Sequence, residues 1–315
     1  MFRMICTLVI SLSLAIPAFT QEVTRTLDKI SGHVYAYVGA KNASPSANSF
    51  GANSGVVIGE DAVMVIDTLI SAKEAEKLSA DIKKVTAKPV KYVVNTHSHL
   101  DHSWGNSVFV KDGAVVIGQE NPANTAAKGE YALAHAGEFG LKPEDMEGTV
   151  LKFPTVMFKE RLRVDLGGGV VVELAYPGPT HSPDSIMVYV TVDKVLFTGD
   201  ILFTKYHPFL GDGDITNWIK VLSGLEKTTA EFIIPGHGPV STVSDIRDME
   251  VYLKEFEAQA RELCLWKKQE DAPVLAEELI NQLPNQGRTE LPSIVISNLR
   301  AKYLPPATPV SGSEK

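Results

Sequence analysis

The stretch NTHSHLDH, residues 95–102, places three histidines and one aspartate within six positions. It overlaps the apolar run VKYVVNT, which predicts a buried strand. If the chain stays extended beyond this strand, His97 and His99 project to the same side, and Asp101 continues that face. His102 falls where the chain turns. Two sets of donors from one loop suit two metal ions a few ångströms apart, each of which needs further donors from elsewhere in the fold.

Three further donors occupy similar positions in the chain. His181 lies in YPGPTHSPDS, Asp200 ends the run KVLFTGD, and His237 lies in IIPGHGP. Each of them follows or ends an apolar, strand-like run and is bounded by Gly or Pro. Functional sites in α/β sheets assemble at such strand ends. Five of the chain's eight histidines thereby belong to one candidate site.

The rest of the chain alternates between strand-like and helical patterns. Apolar runs bounded by Gly and Asp predict strands at 33–39, 54–59 and 62–67. Residues 71–87 predict an amphipathic helix. Its apolar face carries Ala75, Leu78, Ile82 and Val85. A second stripe predicts a long helix near the C-terminal end and carries Ile246, Met249, Leu253, Phe256, Ala260 and Leu263. This alternation predicts an α/β domain with helices on both sheet faces.

The domain organisation is expected to be simple. No internal boundary is visible, so we expect one domain over residues 21–304, with a helical extension from about residue 243. The segment PPATPVSGSEK (305–315) predicts a disordered tail.

The first 20 residues have the pattern of a secretory signal peptide. Arg3 supplies a positive charge, an uncharged apolar run follows, and cleavage is expected between Thr20 and Gln21. The apolar run is too short to span a bilayer as a helix. We therefore expect a periplasmic or secreted protein without membrane integration after signal cleavage. Cleavage would remove Cys6 and leave Cys264 without an intrachain disulfide partner.

The charge balance argues against nucleic acid as a partner. The chain has 30 basic and 38 acidic residues, a formal net charge of −8, and no basic run. Nucleic-acid binding depends on neutralising phosphates with Lys and Arg. We expect a small-molecule substrate instead, and the sequence leaves the oligomeric state open.

The ordered set HxHxDH (97–102), His181, Asp200 and His237 resembles the metallo-β-lactamase fold superfamily of hydrolases. The likeness runs from about residue 29 to 242 and includes the early segment VMVID. The resemblance implies an αββα sandwich, in which two mixed β-sheets are flanked by helices and a binuclear site lies at one edge of the sheets.

The resemblance also implies two groups of metal ligands joined by one aspartate. They are His97, His99 and His181 for the first ion, Asp101, His102 and His237 for the second, and Asp200 as the bridge. Asp67 matches the family's buried acid, which orients a ligand imidazole. Two Zn²⁺ ions per chain are the expected cofactors, with iron or manganese as alternatives.

This ligand set implies hydrolysis. Two divalent ions that share a water lower its pKa from ~15.7 towards ~7 and provide a hydroxide at neutral pH. The bridging hydroxide would attack a carbonyl carbon or a phosphorus, while a metal ion polarises the electrophile's oxygen. Asp101 would orient this nucleophile and relay its proton to the leaving group, which makes Asp101 the expected catalytic residue.

Two features of the matched motifs bear on the substrate: Asp200 differs from the true β-lactamases, and Asp184 differs from many members of the superfamily. The superfamily's true β-lactamases usually carry Cys or Ser at the position of Asp200. We therefore expect hydrolysis of a small ester, thioester, lactone or amide. Many members also have Gly where the motif HSPDS has Asp184.

Three alternatives remain open. The protein could be a β-lactamase or a weakly β-lactam-hydrolysing relative. It could be an oxidoreductase that resembles the persulfide dioxygenases, which share this fold and hold a single iron. It could also be a non-catalytic metal-binding protein.

One further residue is a candidate for the site, and the other chemically capable residues have structural interpretations. His207, in TKYHPFLGDGD, is a candidate substrate contact. The run GDGD (211–214) predicts a turn followed by a helix capped by Asp214. His33 and His135 are expected to be polar surface residues, and Cys264 an inert, packed thiol.

Overall fold

Two mixed β-sheets form the centre of the protein, in a computed structural model that describes residues 26–38, 51–121, 126–139, 141–284 and 292–306. The predicted signal peptide and residues 307–315 of the predicted tail lie outside the described residues. The predicted strands at 33–39, 54–59 and 62–67 are all present, each within two residues of its predicted bounds.

The first sheet has seven strands that follow one another in chain order. They are β1 (Leu27–Lys29), β2 (Val34–Tyr37), β3 (Ser54–Ile58), β4 (Val63–Ile66), β5 (Val90–Val94), β6 (Val115–Gln119) and β7 (Val156–Phe158). Strands β1 to β4 pair antiparallel, and β4 to β7 pair in parallel. The carboxyl ends of the parallel strands therefore lie at one edge, where ligands bind in α/β sheets.

The second sheet has five strands in the order β12-β11-β10-β9-β8. They are β8 (Arg161–Asp165), β9 (Val171–Ala175), β10 (Met187–Val190), β11 (Val195–Phe203) and β12 (Phe232–His237). Only β11 and β12 pair in parallel; the other neighbours are antiparallel. All nine residues of β11 are buried, because the sheet is covered on both faces at this strand.

The facing sides of the two sheets form one apolar layer. In β9, Val172 and Leu174 are buried while their neighbours in the strand are half-buried, which is the period of two that a strand with one inward face requires. These side chains share a buried cluster with Met64 and Ile66 of β4. Burying one such side chain contributes roughly 1.5–3 kcal/mol, so this layer is a main source of the stability of the domain.

Helices cover the outer face of each sheet. They are α1 (Ala72–Val85), α2 (Leu100–Ser103), α3 (Asn106–Lys111), α4 (Ala126–Ala134), α5 (Ile215–Leu225), α6 (Val243–Leu263), α7 (Ala272–Gln282) and α8 (Pro292–Lys302). Leu78 of α1 and Phe109 of α3 pack against strands of the first sheet, and Trp218 of α5 packs against the second. The predicted αββα sandwich is thereby confirmed.

Side-chain caps fix where two of the helices begin, and the sequence predicts the cap at Asp214. The Ser71 side chain caps α1 by accepting from the backbone N–H of Glu74, and Asp214 caps α5 by accepting from that of Asn217. One prediction is wrong: the sequence pattern predicts Val85 on the buried face of α1, but 39% of this residue is exposed. It is the last helical residue, and the chain becomes extended at Thr86.

The C-terminal helices form a second apolar cluster with the outer face of the second sheet. The predicted buried stripe of α6 is present, and its members Met249, Leu253 and Phe256 are fully buried. Leu299 of α8 belongs to the same cluster. Across the described ranges, no helix is long and apolar enough to cross a membrane.

Candidate metal centre

The seven predicted metal ligands meet at one edge of the two sheets. Four of them follow β5, one follows β9, one lies within β11 and one ends β12. Their donor atoms form two groups, each with all its atoms within 4.8 Å of one another. The first group, called here the first cluster, is His97, His99, His181 and Asp200; the second cluster is Asp101, His102 and His237.

Asp200 lies between the two clusters and directs one carboxylate oxygen to each. Its Oδ2 atom is 3.2 Å from Nε2 of His181 and 3.7 Å from Nε2 of His97. Its Oδ1 atom is 3.1 Å from Nε2 of His102 and 3.4 Å from Nε2 of His237. A carboxylate in this position can bind one ion through each oxygen.

Asp101 completes the second cluster. Its Oδ2 atom lies 3.2 Å from Nε2 of His237 and 3.6 Å from Nε2 of His102. Only 8% of Asp101 is exposed, so the carboxylate faces the cluster and not bulk water.

Three buried polar atoms at the centre make no hydrogen bond of acceptable geometry, although two of them lie 3.1 Å apart. They are Nε2 of His97, Nε2 of His102 and Oδ1 of Asp200. Buried polar atoms are nearly always hydrogen-bonded, and exceptions call for an explanation such as a bound ion. Here each orphaned atom points into one of the two clusters, and imidazole and carboxylate are the donors that zinc, iron and manganese accept. These residues therefore fit metal ions.

The predicted ligands differ in protonation state: His97 and His181 are neutral, whereas His237 must lose a proton before it can bind a metal ion. Burial lowers the pKa of His181 to about 3 and holds that of His97 well below its usual value, so both imidazoles are neutral. Burial acts to raise the pKa of the Asp200 carboxyl, but the surrounding histidines, led by His237, hold it well below its ordinary range. Burial opposes the charged form of His237, but the carboxylates of Asp200 and Asp101 outweigh it and raise its pKa to about 9.

The buried carboxylate of Asp67 orients His102. Its Oδ2 atom is 2.8 Å from Nδ1 of His102 and also accepts from the Thr96 hydroxyl at 2.7 Å, while Oδ1 accepts from the Thr96 backbone N–H at 2.7 Å. Asp67 follows β4 with a φ of 60°, in the left-handed region that side chains other than Gly, Asn and Asp seldom adopt. This strained turn directs the carboxylate beneath the ligand loop.

Asp212 is a site residue that the sequence analysis missed. Its Oδ2 atom lies 3.0 Å from Nε2 of His99, while Nδ1 of His99 is 2.9 Å from Nε2 of His181. The interpretation of GDGD as a turn and a helix cap holds for Asp214 but is incomplete for Asp212. No local signal identifies this role, because the contact joins two loops that are 113 residues apart in the chain.

Two of the remaining ligand rings, those of His181 and His237, are held by a backbone group and an aromatic ring. Nδ1 of His181 is 3.0 Å from the backbone carbonyl oxygen of Phe209. The ring of His237 stacks on that of Phe203, with centroids 4.9 Å apart and planes 2° from parallel. These contacts leave Nε2 of each histidine directed at Asp200.

A glycine lets the second sheet approach the centre closely. A Cβ atom on Gly236 would overlap Oδ1 of Asp200, so only glycine allows β12 to pass beside this carboxylate. The motif IIPGHGP thus supplies His237 and also the space for Asp200.

The remaining candidates lie outside the two clusters. His207 is 6% exposed, and its Nδ1 atom is 2.8 Å from the Tyr252 hydroxyl on α6, so its role as a substrate contact stays a prediction. Asp184 is buried and accepts from the Ser182 hydroxyl at 2.7 Å. Nδ1 of His33 is 2.9 Å from Oδ2 of Asp193. Burial raises the pKa of the Cys264 thiol, in keeping with an unreactive packed cysteine.

Comparison with other proteins gives relatives with different activities. The chain is 24% identical over 231 residues to the 2,4-dinitroanisole O-demethylase subunit alpha of Nocardioides sp. (strain JS1661), a match that covers 73% of this chain and 62% of that protein. It is 26% identical over 215 residues to the linear primary-alkylsulfatase of Pseudomonas sp. (strain ATCC 19151), covering 58% of this chain and 40% of the relative. It therefore spans less than two thirds of either relative.

Similar matches reach metallo-β-lactamases along most of their length. The chain is 22% identical over 249 residues to the metallo-beta-lactamase type 2 of Elizabethkingia meningoseptica, with 75% of this chain and 89% of that protein covered. The solved structure of a metallo-beta-lactamase from Pontibacter korlensis superposes with a TM-score of 0.58 at 23% identity, covering 73% of this chain and 99% of that one. At this identity, the superposition shows a shared fold.

The sequence model of a family matches most of the domain. The model described as "Metallo-beta-lactamase superfamily" matches residues 48–237, more than half of the chain, and this range contains all seven ligands and Asp67. The protein therefore belongs to the metallo-β-lactamase superfamily, a group of hydrolases and related metal-dependent enzymes.

Proposed function

We propose that the protein is an extracytoplasmic, binuclear metal-dependent hydrolase of a small ester, thioester, lactone or amide. The observation that carries this proposal is the placement of Asp200, whose two oxygens face different histidine pairs 3.1–3.7 Å away. A carboxylate that served one ion would have no reason to be surrounded on both sides by imidazoles with orphaned nitrogens.

Two Zn²⁺ ions are the proposed cofactors, with iron or manganese as alternatives. His97, His99 and His181 would hold the first ion, Asp101, His102 and His237 the second, and Asp200 both. Divalent ions at such a site act as Lewis acids and lower the pKa of water to near 7.

The protein's own groups would orient the ligands and move the proton. Asp67 can accept a hydrogen bond from Nδ1–H of His102, which leaves Nε2 as the atom that would bind the ion. Burial acts to raise the pKa of the Asp101 carboxyl, but His102 and His237 hold it below its ordinary value, so the group is ionised. It can therefore take the proton of the nucleophile and then pass that proton to the leaving group.

The substrate class rests on the bridging residue and on the range of relatives. The superfamily's true β-lactamases usually carry Cys or Ser where this chain has Asp200. The relatives include a demethylase, an alkylsulfatase and a β-lactamase, so the shared fold supports several bond types. A small carbonyl substrate is the proposal that the Asp200 bridge favours.

The extracytoplasmic location rests on the signal-like pattern of residues 1–20. Mature protein isolated from the cell envelope or medium should begin at or near Gln21, as determined by N-terminal sequencing or intact mass. A cytoplasmic product that retains Met1 would contradict this location.

A β-lactam is the second candidate substrate. The match to the Elizabethkingia meningoseptica enzyme covers 89% of that protein, the highest coverage among the three relatives above. Hydrolysis of a cephalosporin with kcat/KM well above that for esters, thioesters and lactones would favour this candidate.

Metal analysis and a substrate screen test the proposal together. Protein purified from metal-replete cells should contain close to two divalent ions, and it should hydrolyse at least one thioester, ester, lactone or amide. His181→Ala should reduce occupancy of the first site and His237→Ala that of the second. One iron per chain would favour the dioxygenase alternative, and two ions without any turnover would favour the non-catalytic one. Failure to bind any metal with micromolar or better affinity would refute the proposal.

A further inference from the structure

The C-terminal helix α8 contacts the loop that orients two ligand histidines. Asn298 of α8 is fully buried. Its Oδ1 atom accepts from the backbone N–H of Leu210 at 2.7 Å, and its Nδ2 atom donates to the carbonyl of Pro208 at 2.8 Å. The amide thus pairs with the loop as a neighbouring strand would, on both sides of Phe209.

The residue between these two bonds is the one that orients His181. The carbonyl oxygen of Phe209 lies 3.0 Å from Nδ1 of His181 and can accept its proton. That proton position leaves Nε2 as the metal-binding atom, directed at Asp200. Asn298 therefore fixes the carbonyl that sets both the tautomer and the direction of this ligand.

Lys302 makes a parallel contact one helical turn later. Its Nζ atom donates to the carbonyl of Gly213 at 2.7 Å. The preceding residue is Asp212, whose carboxylate is 3.0 Å from Nε2 of His99. Residues four apart lie on the same face of a helix, so α8 holds both points of the loop with one surface.

The second cluster has different supports. Asp67, at the end of β4, orients His102, and Phe203 of β11 stacks on His237. Helix α8 lies beyond residues 48–237, the range matched by the family model. Any influence of α8 on metal binding is therefore a feature of this chain's extension and should be confined to the first cluster.

We propose that Asn298 and Lys302 are positioning residues for the first metal site, so that the C-terminal extension sets the affinity of that site. This inference rests on the proposed function, because it assumes that the first cluster binds an ion. Loss of an outer-shell partner typically costs 10–100-fold in metal affinity. Asn298 and Lys302 act one bond further away, and about threefold to tenfold is expected for each.

The test measures Co²⁺ affinity of the full-length, metal-stripped chain by competition with a chromophoric chelator. Each cluster is read separately: the first in a His237→Ala background, the second in a His181→Ala background. Asn298→Leu keeps the side-chain size but removes both hydrogen bonds. We expect it to weaken Co²⁺ binding about threefold or more at the first cluster and to shift the visible absorption of the bound ion, with less than about twofold change at the second.

Two controls separate positioning from general loosening of the helix. Leu299→Ala removes a fully buried neighbour in the C-terminal apolar cluster and leaves the loop contacts in place. It should lower the melting temperature but change Co²⁺ affinity less than about twofold. Ser297→Ala, an exposed neighbour, should change neither.

The outcomes are distinct. An Asn298→Leu affinity within twofold of its parent would overturn the inference, and so would an equal loss from Leu299→Ala. If Asn298→Leu does not fold, Lys302→Met at the helix surface is the deciding variant. A loss of at least about threefold in Co²⁺ affinity at the first cluster would then support the inference. Wild-type protein that binds no Co²⁺ would refute the proposed metal site and this inference together. Normal wild-type binding with unaffected variants would refute the inference alone.

Discussion

Asp212 and His99 form a carboxylate–imidazole pair, with Oδ2 of Asp212 3.0 Å from Nε2 of His99. The other ring nitrogen of His99 faces the first cluster, 2.9 Å from Nε2 of His181. A carboxylate behind a ligand imidazole fixes its orientation and increases its basicity. The proposed first metal site thus depends on a loop that carries none of its predicted ligands.

Asp212→Asn should weaken metal binding at the first cluster. The amide can still accept a hydrogen bond from His99 but has lost the charge that increases ligand basicity. We expect about a tenfold lower affinity, measured by Co²⁺ competition in the His237→Ala background. Asp214→Asn in the same loop is the matched control, because Asn caps a helix as well as Asp does. An equal loss in both variants would contradict the assignment of Asp212.

Two substitutions of Asp67 should distinguish the effect of its charge on metal affinity from the effect of its backbone and hydrogen bonds on fold stability. Asp67→Asn keeps a side chain that tolerates the left-handed φ of 60°, so it should lower second-cluster affinity about tenfold with little loss of fold stability. Asp67→Ala also leaves the buried Thr96 N–H without its acceptor and should cost a further ~1–3 kcal/mol. Metal-free thermal unfolding measures this difference. Equal stability of the two variants would contradict it.

Asp101→Asn tests the role of Asp101 in turnover. Loss of its charge should reduce second-cluster affinity, and loss of the positioned base should reduce kcat/KM by about 10²–10⁴ even with metal in excess. The measurement uses whichever substrate the screen identifies, with occupancy checked by metal analysis in the same sample. Near-wild-type turnover with both sites filled would limit Asp101 to metal binding.

Metal uptake by the second cluster should depend more steeply on pH than uptake by the first. Despite burial, nearby carboxylates raise the pKa of both histidines of the second cluster, that of His237 to about 9. Below that pH an incoming ion must displace protons, so affinity increases as pH rises. In the first cluster, burial keeps His97 and His181 deprotonated, and only His99 of its three histidines has a raised pKa, because its burial is outweighed by Asp212 and nearby carboxylates. Competition titrations between pH 6.5 and 8.5 should show that Co²⁺ affinity changes more steeply with pH in His181→Ala, which reads the second cluster, than in His237→Ala, which reads the first. Equal slopes would contradict this reasoning.

The sequence predicts the ligands because each one is attached to a local pattern. His97, His181 and His237 follow or end apolar strands, and such strand ends meet at a sheet edge. Asp200 is expected to end its strand but lies within β11, which continues to Phe203. His237 is likewise marked by the Gly and Pro residues on both sides of it in IIPGHGP. These features depend on neighbours in the chain, which a single sequence displays directly.

The outer supports of the ligands could not be predicted in this way. Asp212 is 113 residues from His99, and Asn298 is 90 residues from Pro208. An aspartate in a turn and an asparagine on an apolar helix are common, and nothing local distinguishes these two. The loop between β11 and α5 brings Asp212 to His99, and packing of the C-terminal helices against the second sheet brings Asn298 to that loop.

The distribution of the ligands between the two sheets has a consequence for folding. His97, His99, Asp101 and His102 follow a strand of the first sheet, whereas His181, Asp200 and His237 belong to the second. An ion shared between them is a cross-link that only the assembled sandwich can form. Because it binds the native chain alone, an ion at 1,000 times its Kd would add about 4.1 kcal/mol to the free energy of unfolding. Chelation would therefore loosen the junction between the sheets as well as stop turnover.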